Sequence, residues 1–239
     1  VSCRPMPRKT KIIATLGPAS STAEVIGAMV RAGLDVARLN FSHGDHDSHR
    51  RMIALVRDAA KQHGRAVAIL QDIQGPRIRV GTFPGGAAEL IPGSEVRLLP
   101  GAGEGDASRI FIQHLDAIHL KVGDRVLCAD GMIALMVRDF DGGSVVTDVV
   151  TGGRLADNKG VALPGVEVGL PAVTPKDEAD LAFGRKAGVD LVAASFVTSG
   201  ADIRMVRNVA GDVPVIAKIE RAEAFANLGD ILDEADGAM

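Results

Sequence analysis

The segment Val36–Gly44, VARLNFSHG, sets Arg38, Asn40 and Ser42 at every second position of a run that otherwise reads as a buried β-strand, with Ala37, Leu39 and Phe41 between them. A pleated strand turns alternate side chains to opposite faces. One face of this strand is therefore apolar, and the other carries a cation, an amide and a hydroxyl. Other strand-like runs end in the same way. AVAILQDI ends on Asp72 and Ile73, followed by Gly75-Pro76 and the basic pair Arg77 and Arg79, while LVAASFV carries Ser195. VPVIAKIE carries Lys218 and Glu220 two apart, hence on one face, with Val215, Ala217 and Ile219 on the other. Unpaired buried charge is expensive, so several strands ending in inward polar groups are hard to explain as packing. Arg38 and Lys218 together make an anion site. Glu220 fits beside them if a cation mediates, because Mg²⁺ is usually held by a carboxylate together with substrate oxygens. Arginine, lysine and Mg²⁺ around one anion is the arrangement expected for phosphoryl transfer.

Such residues must be positioned by regular elements, and the chain supplies them in two textures. The first third alternates strand and helix signals: Lys11–Leu16 as a strand, a helix from TAEVIGAMVRAG capped by Ser21 or Thr22 and ended by Gly33, the strand Val36–Ser42, a helix over Asp47–Gln62, and the strand Ala66–Ile73. From about Gly81 to Leu170 the chain turns to short β-like runs such as EVRLLP, RIFI and SVVTDVV, separated by Pro92-Gly93, Gly142-Gly143 and Gly152-Gly153. That texture predicts a small antiparallel barrel or sandwich. At Thr174 the first texture returns, with Thr174 as cap, Pro175 in the first turn and Gly188 at the end of a helix, then strand, helix, strand, and a helix over AEAFANLGDILDEA. Strands alternating with helices imply parallel βαβ units. The expected fold class is α/β: part of a (β/α)₈ TIM barrel, residues 1–80 and 171–239, interrupted after the third strand by an all-β barrel domain over 81–170. In such barrels the site forms at the carboxyl ends of the strands, where the polar residues fall.

Composition narrows the function. A net charge of −3 favours neither nucleic acid nor an anionic membrane, and the absence of Trp and Tyr leaves few platforms for stacking bases. No apolar run approaches bilayer length. Cys3 and Cys128 form no paired motif and suggest reduced thiols, so a cytoplasmic location is expected. His46, His49, His63, His114 and His119 show no ligand spacing, and the Asp47–Arg51 charge run reads as the wet face of its helix.

RKTKIIATLGPAS, VARLNFSHG, QDIQGPRIRVG, NKGVALPGVEVGLPAVTPKDEADLAFG, ASFV and AKIE, in this order, resemble pyruvate kinase. The resemblance runs across the whole chain. It implies transfer of the phosphoryl group of phosphoenolpyruvate to ADP, giving pyruvate and ATP, with Mg²⁺ or Mn²⁺ as cofactor, in an enzyme that is habitually tetrameric. By resemblance, Arg38 is the substrate-phosphate arginine, Lys218 the catalytic lysine and Glu220 one Mg²⁺ ligand, with Ser195 near the substrate. Asn40, Ser42, Asp72 and the carbonyl of Ile73 match the monovalent-cation site. Asn40, Phe41, Ser42 and His43, with Arg79 and Lys159 of the NKG turn, lie where the family binds nucleotide phosphates.

Two departures qualify the match. The family's next motif, Ala-Arg-Gly-Asp, should follow DGAM and supply the second Mg²⁺ carboxylate. The sequence stops at Met239, so a half-built metal site, an inactive chain and a missing remainder of the barrel and regulatory domain are expected. Many members also read Asp-Thr-Lys-Gly-Pro-Glu where this chain reads Asp72-Ile73-Gln74-Gly75-Pro76-Arg77. A fixed guanidinium at Arg77 could stand in for K⁺, so K⁺ is expected to be dispensable. Two alternatives stay open: another Mg²⁺-dependent barrel enzyme using phosphoenolpyruvate or pyruvate, and a truncated fragment that keeps anion binding alone.

Overall fold

The computed structural model describes residues 9–166 and 168–239; Cys3 lies outside them. The described chain divides into two compact units. The first comprises residues up to Gly75, Ala172–Glu220 and Asn227–Met239; the second comprises Pro76–Pro171 with Arg221–Ala226.

In the first unit the order is β1 (Ile13–Leu16), α1 (Ala23–Ala32), β2 (Val36–Asn40), α2 (His46–Gln62) and β3 (Ala68–Asp72). The second unit then contributes β4 (Ala87–Leu90), β5 (Glu95–Pro100), β6 (Arg109–Ile112), β7 (Arg125–Cys128), β8 (Ile133–Asp141), β9 (Ser144–Thr151), β10 (Gly153–Ala156) and β11 (Val161–Ala162). The first unit resumes with α3 (Pro175–Ala187), β12 (Leu191–Ala194), α4 (Gly200–Ala210) and β13 (Val215–Ala217). The short α5 (Ala222–Ala226) precedes α6 (Leu228–Glu234) and β14 (Gly237–Ala238).

Strands β1, β2, β3, β12, β13 and β14 form one six-stranded sheet in that order, every neighbouring pair parallel. Strand order that never reverses belongs to a (β/α) barrel, whereas a doubly wound sheet reverses at its switch point. This sheet is six of the eight strands of an interrupted TIM barrel. The helices cover the face that the apolar alternation dictates. Ala37, Leu39 and Phe41 pack with Ile26 and Val30 of α1 and with Ile53 and Val56 of α2. Caps set the helix ends: the Thr22 hydroxyl accepts from Val25 N, the Asp45 carboxylate from Ser48 N and the Thr174 hydroxyl from Asp177 N.

In the second unit the sheet order is β11-β7-β8-β9-β5-β6. Isolated bridges pair Arg79 with Gly160 and Val80 with Ile112. The segment 79–80 thus joins the two edges of the sheet and closes it into a barrel, which removes its open edges. Its core is apolar, from Val80 and Leu90 through Leu135 to Leu155. One pair, β5 with β6, is parallel, so the expectation of a purely antiparallel domain is corrected.

Two further expectations change. Strands are shorter than the apolar runs: β2 stops at Asn40 and β13 at Ala217, so Lys218 and Glu220 lie past the strand end. The single helix expected over AEAFANLGDILDEA is broken at Asn227, whose side-chain amide donates to the carbonyl of Thr198 at 2.9 Å. An Asn that bonds elsewhere competes with helix continuation.

Candidate active site at the strand ends

Parallel register builds the site in tiers. Thr15, Arg38, Leu70 and Leu191 stand opposite one another on successive strands. Two residues on, Asn40, Asp72 and Ala193 form the next tier. Ser195 is two residues past Ala193, and Lys218 continues the β12–β13 ladder, its amide donating to the Ala194 carbonyl at 3.1 Å. Side chains at these positions share the face turned away from the helices.

Asp72 is the centre of the arrangement and only 2 % exposed. Arg38 reaches it from the tier below, donating from Nε to Asp72 Oδ2 at 2.8 Å and also from Nη2. Its remaining terminal nitrogen donates to Thr15 Oγ1 at 2.6 Å. Lys218 reaches the other carboxylate oxygen from above, Nζ to Oδ1 at 3.2 Å. The same ammonium donates to Ser195 Oγ at 2.9 Å and lies 3.0 Å from Glu220 Oε1. Ser195, itself buried, donates its proton to the carbonyl of Ile73 at 2.7 Å. An arginine from β2, a carboxylate from β3 and a lysine and a carboxylate from the end of β13 thus form one hydrogen-bonded cluster. Its buried charges are paired, as burial requires.

The backbone around the cluster is specialised. Phe196 has φ 59°, unusual for an aromatic residue, and its amide donates to Glu220 Oε2 at 3.1 Å. Gly75 has φ +67°, and a Cβ there would sit 2.7 Å from the Ser195 carbonyl oxygen. The Gln74 and Gly75 amides both donate to Asp177 Oδ1, at 3.0 and 3.2 Å, which anchors the loop after β3 to the first turn of α3.

The family described as pyruvate kinase, barrel domain, matches residues 7–239. The chain belongs to the pyruvate kinase family. It is 46 % identical to the pyruvate kinase of Mycobacterium tuberculosis (strain H37Rv), over 98 % of this chain and 51 % of that protein. It is 45 % identical to that of Geobacillus stearothermophilus, over 98 % of this chain and 41 % of that protein. The figure for Corynebacterium glutamicum is 44 %, over 98 % of this chain and 50 % of that protein. The chain therefore spans about half the length of the curated relatives it matches, and no helix among its described residues is long and apolar enough to cross a membrane.

Of the residues singled out by the pyruvate kinase resemblance, the first unit brings together Arg38, Asp72, Ile73, Ser195, Lys218 and Glu220. Asn40 lies on the same strand face as Arg38 and accepts from the Ser42 amide at 3.0 Å. His43 is exposed, whereas the Phe41 side chain is buried against the helices, so only its backbone faces the turn. Arg77, Arg79 and Lys159 belong to the second unit. There Arg79 donates to the Asn158 carbonyl at 2.6 Å, beside Lys159 on the NKG turn. Burial first, and then the nearby Arg77 charge, lower the Arg79 pKa from its ordinary value.

The donor chemistry can be tested against the family's metals. Glu220 is a third exposed at its side chain, and among the described residues no group of three or more His, Cys, Asp and Glu could hold a metal ion. Glu220 is the one carboxylate here suited to a hard divalent cation, which takes oxygen ligands. The second set, Asn40, Ser42, Asp72 and the Ile73 carbonyl, offers oxygen donors only, which suits a monovalent cation. In this structure Asp72 is engaged by Arg38 and Lys218, and the Ile73 carbonyl by Ser195.

The sequence reading missed Asp177 as the anchor of the β3 loop and Asp72 as the shared partner of both cations. The capping-box spacing Thr174 to Asp177 was a visible signal for the first. The second had none, because the three residues lie far apart in the chain.

Proposed function

We infer that this chain forms the substrate-phosphate side of the active site of a pyruvate kinase, an enzyme that moves the phosphoryl group of phosphoenolpyruvate to ADP. The observation that carries this reading is the convergence of Arg38 from β2 with Lys218 and Glu220 from the end of β13, within hydrogen-bonding reach of one another through Asp72 and Ser195. Arg38 holds the substrate phosphate through its planar fork. Lys218 supplies a mobile positive charge for the phosphoryl group in flight, where charge stabilisation and positioning account for most of the catalysis. Ser195 and Asp72 hold the Lys218 ammonium on the substrate side of the strand ends. Glu220 would hold Mg²⁺ or Mn²⁺, which would supply positive charge to offset that of the phosphate. Asn40, Ser42 and His43 of the first unit bind the nucleotide phosphates; in the second unit, Arg79 and Lys159 match nucleotide-phosphate positions of the family by sequence.

Members of this family in general need Mg²⁺ and K⁺. Here Arg77 replaces the usual acidic residue with a fixed cation, and the complete enzyme is expected to work without K⁺. Equal turnover in sodium and potassium salts is the expected result, and strict dependence on potassium would overturn it. The complete enzyme is also expected to be a cytoplasmic tetramer. Assayed with phosphoenolpyruvate and ADP, Lys218→Met should lose most turnover, by roughly 10²-fold or more, while phosphoenolpyruvate still binds. Full activity in that variant would remove the role given to Lys218.

A further inference from the structure

The turn Asn40–His43 follows β2 and carries the residues read above as contacts for nucleotide phosphates. Its backbone groups are accounted for almost one by one. The Phe41 amide donates to the Asp72 carbonyl at 2.9 Å, the Ser42 amide to Asn40 Oδ1 at 3.0 Å and the His43 amide to the Asn40 carbonyl at 3.3 Å. The two carbonyls that flank Ser42 are gripped from outside the strand. Lys176 Nζ, from α3, donates to the Phe41 carbonyl at 2.7 Å. His49 Nε2, from α2, donates to the His43 carbonyl at 3.0 Å, while its ring stacks on Phe41 at a centroid distance of 3.8 Å and an interplanar angle of 9°.

Both grips are themselves held. Lys176 Nζ lies 2.6 Å from Oδ2 of the buried Asp180, one turn along α3. The other oxygen of Asp180 meets His46 Nε2 at 2.7 Å, and the His46 ring stacks on Phe183 at 4.4 Å. The Asp180 backbone carbonyl accepts from the buried Gln71 amide at 2.7 Å. The Lys176 charge is thus neutralised by Asp180, so this lysine is poorly placed to attract an anion itself. A second of its three donors goes to a turn carbonyl.

We propose that Lys176 and His49 are positioning residues for the nucleotide-phosphate turn, clamping the carbonyls of Phe41 and His43 so that Ser42 and His43 are held ready for the phosphates of a nucleoside diphosphate. This rests on the reading of that turn given above. The clamp acts on the nucleotide side alone, because neither residue contacts Arg38, Lys218, Ser195 or Glu220 in the hydrogen-bond pattern described. Loss of the clamp therefore splits the two substrates kinetically, which a general loss of packing does not.

The test is steady-state kinetics on the full-length enzyme, with ADP and phosphoenolpyruvate varied separately. Lys176→Met is expected to raise KM for ADP about tenfold, the scale of one lost charge-assisted hydrogen bond, with KM for phosphoenolpyruvate within about twofold. Lys176→Arg should recover most of the loss, since a guanidinium can still donate to both the carbonyl and the carboxylate. His49→Phe keeps the stack on Phe41 and deletes only the donor, so it should move KM for ADP in the same direction; it decides the matter if Lys176→Met does not fold. Unchanged KM for ADP in the folded variants, or equal rises for both substrates, would overturn the proposal. Ser42→Ala and His43→Ala separate the two layers. If they raise KM for ADP and the clamp variants do not, the clamp alone fails; if they leave it unchanged, the reading of the turn fails and the clamp with it.

Discussion

Both units are laced with ion pairs, but the most connected network of each sits in opposite surroundings. In the first unit Arg38, Asp72, Lys218 and Ser195 lie at strand ends, with Asp72 and Ser195 buried. In the second, Arg138 of β8 bridges Asp148 of the neighbouring β9 at 2.9 Å and Glu95 of β5, one strand further on, at 2.5 Å, and Arg97 meets Asp141 at 2.6 Å, all in exposed positions. Water screens the second network, so its pairs contribute little to stability. The first network has no such screening, and each member depends on the others for its charge to be tolerated. The second unit's stability must rest instead on its apolar core. Equal-looking contacts thus serve different ends, one holding buried charges in place and the other decorating a barrel.

Removing Asp72 tests this contrast most severely. Asp72→Ala strips the shared partner from Arg38 and Lys218 and is expected to destabilise the protein by about 3 kcal/mol, measured by denaturant unfolding. A loss no larger than that of a surface pair would erase the distinction. The next effect concerns the buried polar layer behind the site. A Cβ at Gly184 would fall 1.9 Å from Oε1 of the fully buried Gln71. Gly184→Ala should therefore lower stability by about 2 kcal/mol through overpacking, and a neutral outcome would mean that Gln71 can swing aside.

A smaller effect has a definite sign with pH. Burial is the largest cause lowering the His49 pKa from its ordinary 6.5, outweighing the His43 carbonyl and the Asp180 charge, which raise it. A histidine that is harder to protonate when folded leaves stability intact above pH 6.5 and removes it as pH falls below that value toward the folded pKa. Unfolding midpoints should drop across that window and flatten in His49→Phe. The carboxylates with lowered pKa values, such as Asp106 at about 2, respond only in more acid solution, so the two contributions separate. The smallest effect is expected at Arg138→Ala, where Tm should hardly move and any shift should fade with added salt.

Much of the site was legible because strand periodicity is short and strict. Arg38 and Asn40 could be placed on one face from the alternation in VARLNFSHG alone, and β2 turns Ala37 and Leu39 toward the helices as that alternation requires. Thr22, Thr174 and Gly188 marked helix ends because capping is a local interaction between neighbours in the chain. The break at Asn227 was not legible, since the carbonyl that takes its side chain belongs to Thr198. His49 shows a similar limit: a histidine in a charged run looks solvated until the ring of Phe41 is laid against it.

Order, pattern and residue type in the chain were enough to establish alternating strands and helices, the inserted β region, and which strand ends would be polar, because each depends on contacts within a few residues. Only tertiary structure decided that Asp72 is the common partner of Arg38 and Lys218, that segment 79–80 closes the β barrel, and that Lys176 reaches the Phe41 carbonyl. Those contacts join residues tens of positions apart or more. Their geometry is set by strand register and helix packing, which no local stretch of sequence encodes.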